Sequence, residues 1–230
     1  MPITNYWKSF LAILFPPLCI ACEDVLLYQE RLLCITCLFH LPVNDHYLFQ
    51  ENEITRRLLG KMELHSGMAY FSFAKSSFVQ EIVHKMKYRG RQDIGLHFGQ
   101  LIGKQLQQST SLPPLDLIVP IPLHRKKMKA RGYNQSDALA DGIAKVLSVD
   151  VDKHLLERVR NSPSQTKMKR IDRDENVEGA FICRSTNKLT GKHILLVDDV
   201  VTTGATIAAA AQAIQDVADC KLSVAVLAQA

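Results

Sequence analysis

The sequence predicts an α/β protein, a mostly parallel sheet flanked by helices, with a small cysteine-bearing module ahead of it. Three observations carry this prediction. Residues 194–197 form a continuous apolar run, the pattern of a strand covered on both faces, and they lead through Asp198, Asp199 and a short hydroxyl-rich stretch into an alanine-rich helical pattern at 207–217. Other apolar runs, at 115–121, 180–183 and 221–227, are separated by segments of helical period at 78–87, 94–106 and 136–147. Four of the six cysteines stand in two Cys-x-x-Cys pairs within residues 19–37.

In chain order, Trp7, Phe10, Leu11 and Leu14 fit a short helix able to touch a partner or a membrane. Lys8 and the apolar run at 10–15 hint at a signal peptide. However, Pro16 and Pro17 cut that run short, no small-x-small cleavage site follows, and the run is well below the roughly 20 residues of a membrane span. The expected location is therefore the cytoplasm, with peripheral contact at the inner membrane through that helix as a further expectation.

Cys19, Cys22, Cys34 and Cys37 leave eleven residues between the two pairs. Each pair places two thiolates on one side of a metal ion, and four complete the tetrahedral set that Zn²⁺ prefers, with no open position for catalysis. A zinc-ribbon-like structural site is expected at 1–50. Disulfides are disfavoured by the cytoplasmic reading. His40 and His46 are left as solvated or structural, and Cys183 and Cys220 as buried hydrophobes. The mixed, polar stretch 42–57 reads as a linker to a second domain at 60–230, whose first strand is expected at 66–74.

The helical pattern Phe78, Val79, Ile82, Val83, Met86 breaks at 88–91, where Lys85, Lys87, Arg89 and Arg91 cluster. Such a cluster reads as a solvated helix end, with cations near the last carbonyls. Pro113 and Pro114 end the second helical region. Pro120 and Pro122 terminate the next strand and stiffen the turn after it. Six basic or histidine side chains follow in residues 124–131, among them Arg125 and Arg131. Strand carboxyl ends are where open α/β sheets bind ligands, and Arg and Lys suit a pyrophosphate. Residues 155–179 are polar and basic with few aliphatics, the composition of a functional loop.

The stretch from Ile194 to Thr206 has the layout of a phosphate site. Thr202, Thr203, Gly204, Ala205 and Thr206 are small enough for the backbone to close around a phosphate at a helix N-terminus. Asp198 and Asp199 would repel a bare phosphate, but they can hold sugar hydroxyls or a Mg²⁺ shared with other phosphates. The ligand suited to this layout has a phosphate at one end, hydroxyls in the middle and a metal-bound polyphosphate at the other. No Walker-type phosphate loop occurs, since Gly99-x-x-x-Gly103-Lys104 is one residue short and lacks the hydroxyl. No Ser-His-Asp or Cys-His nucleophile pattern is present. A net charge of +5 favours anionic partners without choosing among them.

All thirteen positions from Ile194 to Thr206 resemble the signature of type I phosphoribosyltransferases, which bind phosphoribosyl pyrophosphate (PRPP). Phe15-Pro-Pro-Leu-Cys-x-x-Cys22, Val119-Pro-Ile-Pro-Leu-His-Arg125 and Arg131-Gly-Tyr-Asn-Gln135 narrow the resemblance to the ComF/GntX family of phosphoribosyltransferase-like proteins, over nearly the whole chain. Arg160, Gln165, Arg173 and Asn176 resemble that family's mobile loop, with Ser162 where threonine is common.

The resemblance implies a type I phosphoribosyltransferase fold behind the zinc module. It implies PRPP and Mg²⁺ at Asp198, Asp199, Thr202, Thr203, Gly204, Ala205 and Thr206, with pyrophosphate against Pro120, Arg125 and Arg131. Asp198 and Asp199 are the best, though weak, candidates for a catalytic base. It further implies a role in natural transformation and DNA uptake, handling incoming single-stranded DNA, with the zinc module docking a protein of the uptake machinery. Two alternatives stand beside this reading: a non-catalytic protein that binds single-stranded DNA or a partner on the same fold, and a phosphoribosyltransferase of nucleotide metabolism.

Overall fold

The computed structural model describes residues 15–72, 77–88, 90–110, 112–159, 179–184 and 189–230. The expected N-terminal helix and the loop residues Arg160, Gln165, Arg173 and Asn176 lie outside the described residues.

The core is a four-stranded, all-parallel sheet of β1 (Ser66–Ser72), β2 (Leu117–Pro120), β5 (His193–Val201) and β6 (Lys221–Gln229), ordered β1-β6-β5-β2. The β5 side chains explain why it lies in the middle. Leu195 and Val197 join one apolar cluster, Ile194 and Leu196 the other, and all four are fully buried. An apolar run with no polar alternation needs cover on both faces, and the chain supplies it.

One face carries α3 (Ser77–Tyr88), α4 (Gln92–Gln108) and α6 (Gln135–Leu147); the other carries α2 (Glu53–Leu58) and α7 (Ala205–Gln215). In α4, Ile94, Phe98, Ile102 and Leu106 recur every four residues, and all are buried. Between them lie Gly95, Gly99 and Gly103, against α6. A Cβ at Gly99 would stand 2.2 Å from the Leu139 carbonyl oxygen, and one at Gly142 2.4 Å from that of Leu96, so the two backbones are in contact. The near match to a phosphate loop at Gly99 and Gly103 is therefore a helix-packing seam.

Four local outcomes differ from the sequence expectations. The strand expected at 194–197 continues to Val201, because β6 goes on pairing with it: Asp198 lies beside Val226 and Val200 beside Ala228. The stretch expected to be a linker at 42–57 contains a 3₁₀ turn, His46–Leu48, and most of α2. Asn52 starts α2 with a capping box: its side-chain oxygen accepts the Ile54 and Thr55 amides at 2.9 and 3.2 Å, and the Thr55 hydroxyl accepts the Asn52 amide at 2.8 Å. The basic turn after β2 is a short helix, α5 (Arg125–Arg131), capped by His124 at its start and by left-handed Gly132 at its end. Finally, β3 (Leu156–Arg158) and β4 (Phe181–Cys183) pair antiparallel, so both ends of the polar segment are anchored as a small hairpin.

The cysteine module, with α1 (Ile35–His40), packs on the α3–α4 face. Cys19, Ile20, Leu26, Leu33 and Cys37 belong to the same apolar cluster as Met68, Phe71 and Phe98. Among the described residues no helix is long and apolar enough to cross a membrane.

Candidate functional site

The carboxyl end of β2 lies beside the middle of β5, with Pro120 opposite Val197, one residue before Asp198. The α5 turn therefore leaves the sheet at the level of the two carboxylates. Asp198 Oδ1 accepts the Ser136 hydroxyl at 3.0 Å and the Asp199 amide at 2.9 Å. Asp199 Oδ2 lies 2.9 Å from Lys87 Nζ, in a pair that is mostly buried on both sides. Burial, and then the neighbouring Asp199 charge, push the Asp198 carboxyl up to about 7, against the Asp199 amide, Ser136 and Lys87, which pull it down.

Beyond the carboxylates, Asp198, Val200 and residues 201–207 line a small cleft. Gly204 closes the loop at φ 85, a left-handed conformation that also places its Cα where a Cβ would meet Leu58 Cδ2 at 2.5 Å. Two cations hold the loop from behind. Arg57 Nη1 donates to the Thr202 carbonyl at 2.5 Å and to the carbonyl of Ala230, and Lys61 Nζ donates to the Thr203 carbonyl at 2.6 Å. The first amides of α7 have no partner within their helix, and that of Ala205 donates to the Thr203 hydroxyl at 3.3 Å.

A ring of cations faces the carboxylates. Lys127 is half-buried; burial, then Arg158 and Arg131, push its ammonium below the ordinary lysine range, and Asp199 opposes them. Arg158 is only 8% exposed, its guanidinium lies 5.2 Å from the Phe181 ring centroid, and its Nε is buried with no partner among the described residues. Asp198 acts on Arg158 by charge, opposing the effect of burial. Arg131 donates to Gln135 Oε1 at 2.8 Å and lies 5.7 Å from the centroid of the Tyr88 ring.

Asp198, Asp199, Thr202, Thr203, Gly204, Ala205, Thr206, Pro120 and Arg131 thus gather at one end of the sheet. Arg125 is turned elsewhere: it is exposed and pairs with Glu157 at 3.1 Å, as does Arg184. Sequence reasoning placed Lys127 only as part of the basic turn at 124–131, and did not assign Lys87, Arg158 or Ser136 to the site, nor Arg57 and Lys61 to the loop behind it. Their residue types fit a cation ring, but their position becomes visible only once distant helices are brought to the strand ends.

In the cysteine module, the ligand atoms of Cys19, Cys22, Cys34 and Cys37 all lie within 4.8 Å of one another. The thiols are unbridged, with Cys22 and Cys34 Sγ 3.7 Å apart. Backbone amides of Ala21 and Cys34 donate to Cys19 Sγ at 3.5 and 3.4 Å, and that of Cys37 to Cys34 Sγ at 3.4 Å. Burial raises the Cys19 thiol, but these donors and the Cys22 amide outweigh it and bring it down to about 7. Amides aimed at sulfur stabilise thiolates, and the set is compatible with a structural Zn²⁺.

Residues 135–230 match the family model of the phosphoribosyl transferase domain. Over that stretch, somewhat under half of its length, the chain is similar to a phosphoribosyl transferase domain. Its parallel sheet, with the acids at the end of β5 and the small loop before α7, is the type I arrangement. Homologues include the DNA utilization protein YhgH of Salmonella typhi, 36% identical over 57% of this chain and 58% of that protein. They also include competence protein F of Haemophilus influenzae, 33% identical over 40% of this chain and 41% of that protein. Competence protein ComFC of Bacillus subtilis is 26% identical over 84% of this chain and 76% of that protein. The matches to the YhgH and competence F proteins therefore span less than two thirds of those relatives. Two solved structures superpose weakly. A glutamine PRPP amidotransferase from B. subtilis gives a TM-score of 0.41 at 16% identity over 63% of this chain and 30% of that one. Adenine phosphoribosyltransferase from Leishmania donovani gives 0.39 at 12% identity over 79% and 82%. The fold assignment rests on the domain match and the sheet topology.

Proposed function

We propose that this chain binds PRPP with Mg²⁺ at the carboxyl end of β5 and acts as a phosphoribosyltransferase-like protein in DNA uptake, handling incoming single-stranded DNA. One observation carries the ligand reading: paired carboxylates on β5 sit between a loop held at φ 85 and a ring of cations, one of which, Arg158, has a buried Nε with no partner among the described residues. Thr202, Thr203, Gly204, Ala205 and Thr206 hold the 5′-phosphate, and Asp198 and Asp199 the ribose hydroxyls. Lys127, Arg158 and Arg131 face the pyrophosphate, with Pro120 shaping the wall behind it; Arg125 joins them only by leaving Glu157. Mg²⁺ at the carboxylate side would neutralise charge on the leaving pyrophosphate.

In the transfer reaction an acceptor attacks the anomeric carbon, and the bond to pyrophosphate breaks with its electron pair leaving on oxygen. The protein's contribution is positioning and charge stabilisation. With Asp198 pushed up to about 7, the carboxylate pair can also take a proton near neutral pH.

Calorimetric titration with PRPP, with and without Mg²⁺, tests this. The expected result is Mg²⁺-dependent binding that Asp198→Asn/Asp199→Asn abolishes. No heat from well-folded, metal-loaded protein refutes the ligand reading.

The DNA reading rests on the homologues' names and on the cationic face of α5, where Arg125, Lys126 and Lys129 are exposed. Reversing the charge of Lys126, Lys127 and Lys129 is expected to weaken single-stranded DNA binding and flatten its salt dependence; an unchanged affinity removes this surface from the proposal. The cysteine module, with Phe15, Tyr28 and Phe39 exposed, is the face offered to a partner of the uptake machinery or, peripherally, to the membrane surface of the cytoplasm.

A further inference from the structure

Three consecutive residues at the end of α3 reach three parts of the molecule. Lys85 is 6% exposed, and its Nζ lies 2.7 Å from Glu23 Oε1. Glu23 directly follows the first cysteine knuckle, at φ 65, and closes it by donating its amide to the Cys19 carbonyl at 3.0 Å. The Met86 carbonyl accepts the Tyr133 hydroxyl, and the Met86 side chain lies in the apolar cluster that contains Cys19, Cys34 and Cys37. Lys87 reaches Asp199 at 2.9 Å. Residues two apart on a helix point about 200° apart, so one helical turn is tied to the knuckle on one side and to the carboxylates on the other.

Both ties depend on charge. The Lys85 side chain is buried whereas that of Glu23 is 62% exposed, so Glu23 supplies a counter-ion at the surface edge of a buried ammonium, and removing it leaves Lys85 without that charge partner. Glu23 is held in a left-handed backbone conformation, which a non-glycine residue adopts only when its surroundings enforce it. The knuckle of Cys19 and Cys22 is that surrounding, and Zn²⁺ on the four thiolates would fix it.

We infer that the cysteine module positions the carboxylate site: Glu23, through Lys85, sets the last turn of α3 and thereby places Lys87 beside Asp199. Glu23 and Lys85 touch no reacting atom; they are positioning residues. The module thus has a task within its own chain, whatever partner it also meets. The coupling goes beyond the PRPP reading and uses it for only one of two readouts.

The test compares the intact, zinc-loaded chain in four forms: wild type, Glu23→Gln, Lys87→Gln and the double variant. Amide hydrogen exchange at Met86, Lys87 and Tyr88 is measured beside Mg²⁺-dependent PRPP titration. Glu23→Gln, with metal content unchanged, is expected to speed exchange at these amides about tenfold and to weaken PRPP about fivefold. In the Lys87→Gln background the same change is expected to have no further effect on affinity, because the coupling runs through Lys87. If Glu23→Gln sheds zinc, Lys85→Met carries the test from the helix side. Unaltered exchange overturns the inference, and so does an affinity loss that persists undiminished without Lys87. A wild type that binds no PRPP removes the ligand reading alone, and exchange then decides the coupling.

Discussion

At Asp198 the demands of folding and of ligand binding oppose one another. Burial and the Asp199 charge raise its carboxyl from 3.8 to about 7 in the folded protein. The native state therefore retains a proton that the unfolded chain releases. The stability this confers is full below the unfolded value and is lost as pH rises towards 7. Asp198→Asn removes the titration and keeps an acceptor for Ser136. Once the group's partial exposure is allowed for, the variant is expected to exceed the wild type in stability by roughly 2 kcal/mol at pH 8, with the gap narrowing towards pH 6. Urea unfolding at pH 6, 7 and 8 measures it; a difference that does not vary with pH would show that Asp198 is not held against its own charge. At this scale the sequence displays the chemistry of the two acids, because they are adjacent in it. It does not display Lys87 on Asp199, Ser136 on Asp198 or Arg158 nearby, because those pairs join residues from different elements.

The helices show what local sequence encodes well and what it encodes poorly. α4 and α6 are long enough for several turns of apolar period, and both are legible. So is β5, whose unbroken apolar run needs cover on two faces. α2 and α5 have six and seven residues, less than two turns, and no period can declare itself in so short a span. Yet α2 supplies residues that hold the 202–206 loop, Arg57 by hydrogen bonds and Leu58 by contact. Gly99 gives an element-scale test. In an open helix Gly→Ala stabilises by about 1 kcal/mol. Here the new Cβ would stand 2.2 Å from the Leu139 carbonyl oxygen, in the backbone of α6, which can yield only by moving the helix. Gly99→Ala is therefore expected to destabilise by roughly 2–3 kcal/mol. A neutral or stabilising result in urea unfolding would mean that α4 and α6 do not approach as closely as their glycines imply.

The whole molecule bears on whether the cysteine module is a separate body. Its two pairs are a strong local signal, and a polar stretch follows, so the sequence alone divides the chain near residue 50. The packing joins what the sequence separates: Cys19, Ile20 and Leu33 share one apolar cluster with Phe71, Phe98 and Leu227, and Lys85 is buried against Glu23. Two consequences follow for metal. Among the four thiols, Cys19 is lowered to about 7, whereas Cys22, pulled down by the Asp24 amide and by Cys37, is raised to about 11 by burial, Cys19 and the Asp24 side chain. Zn²⁺ must then displace protons from the less acidic thiols, and its affinity is expected to fall as pH falls, with proton release on binding. Moreover, a module that shares its core cannot lose its metal privately. In zinc-loaded protein, chelation is expected to lower a single calorimetric transition of the whole chain by about 10 °C, the equivalent of several kcal/mol at this size. A second, earlier transition with the main one unmoved would restore the two-body reading. It would also weaken the case that the cysteine knuckle governs the carboxylate site, since the knuckle could then unfold without disturbing the helix that carries Lys87.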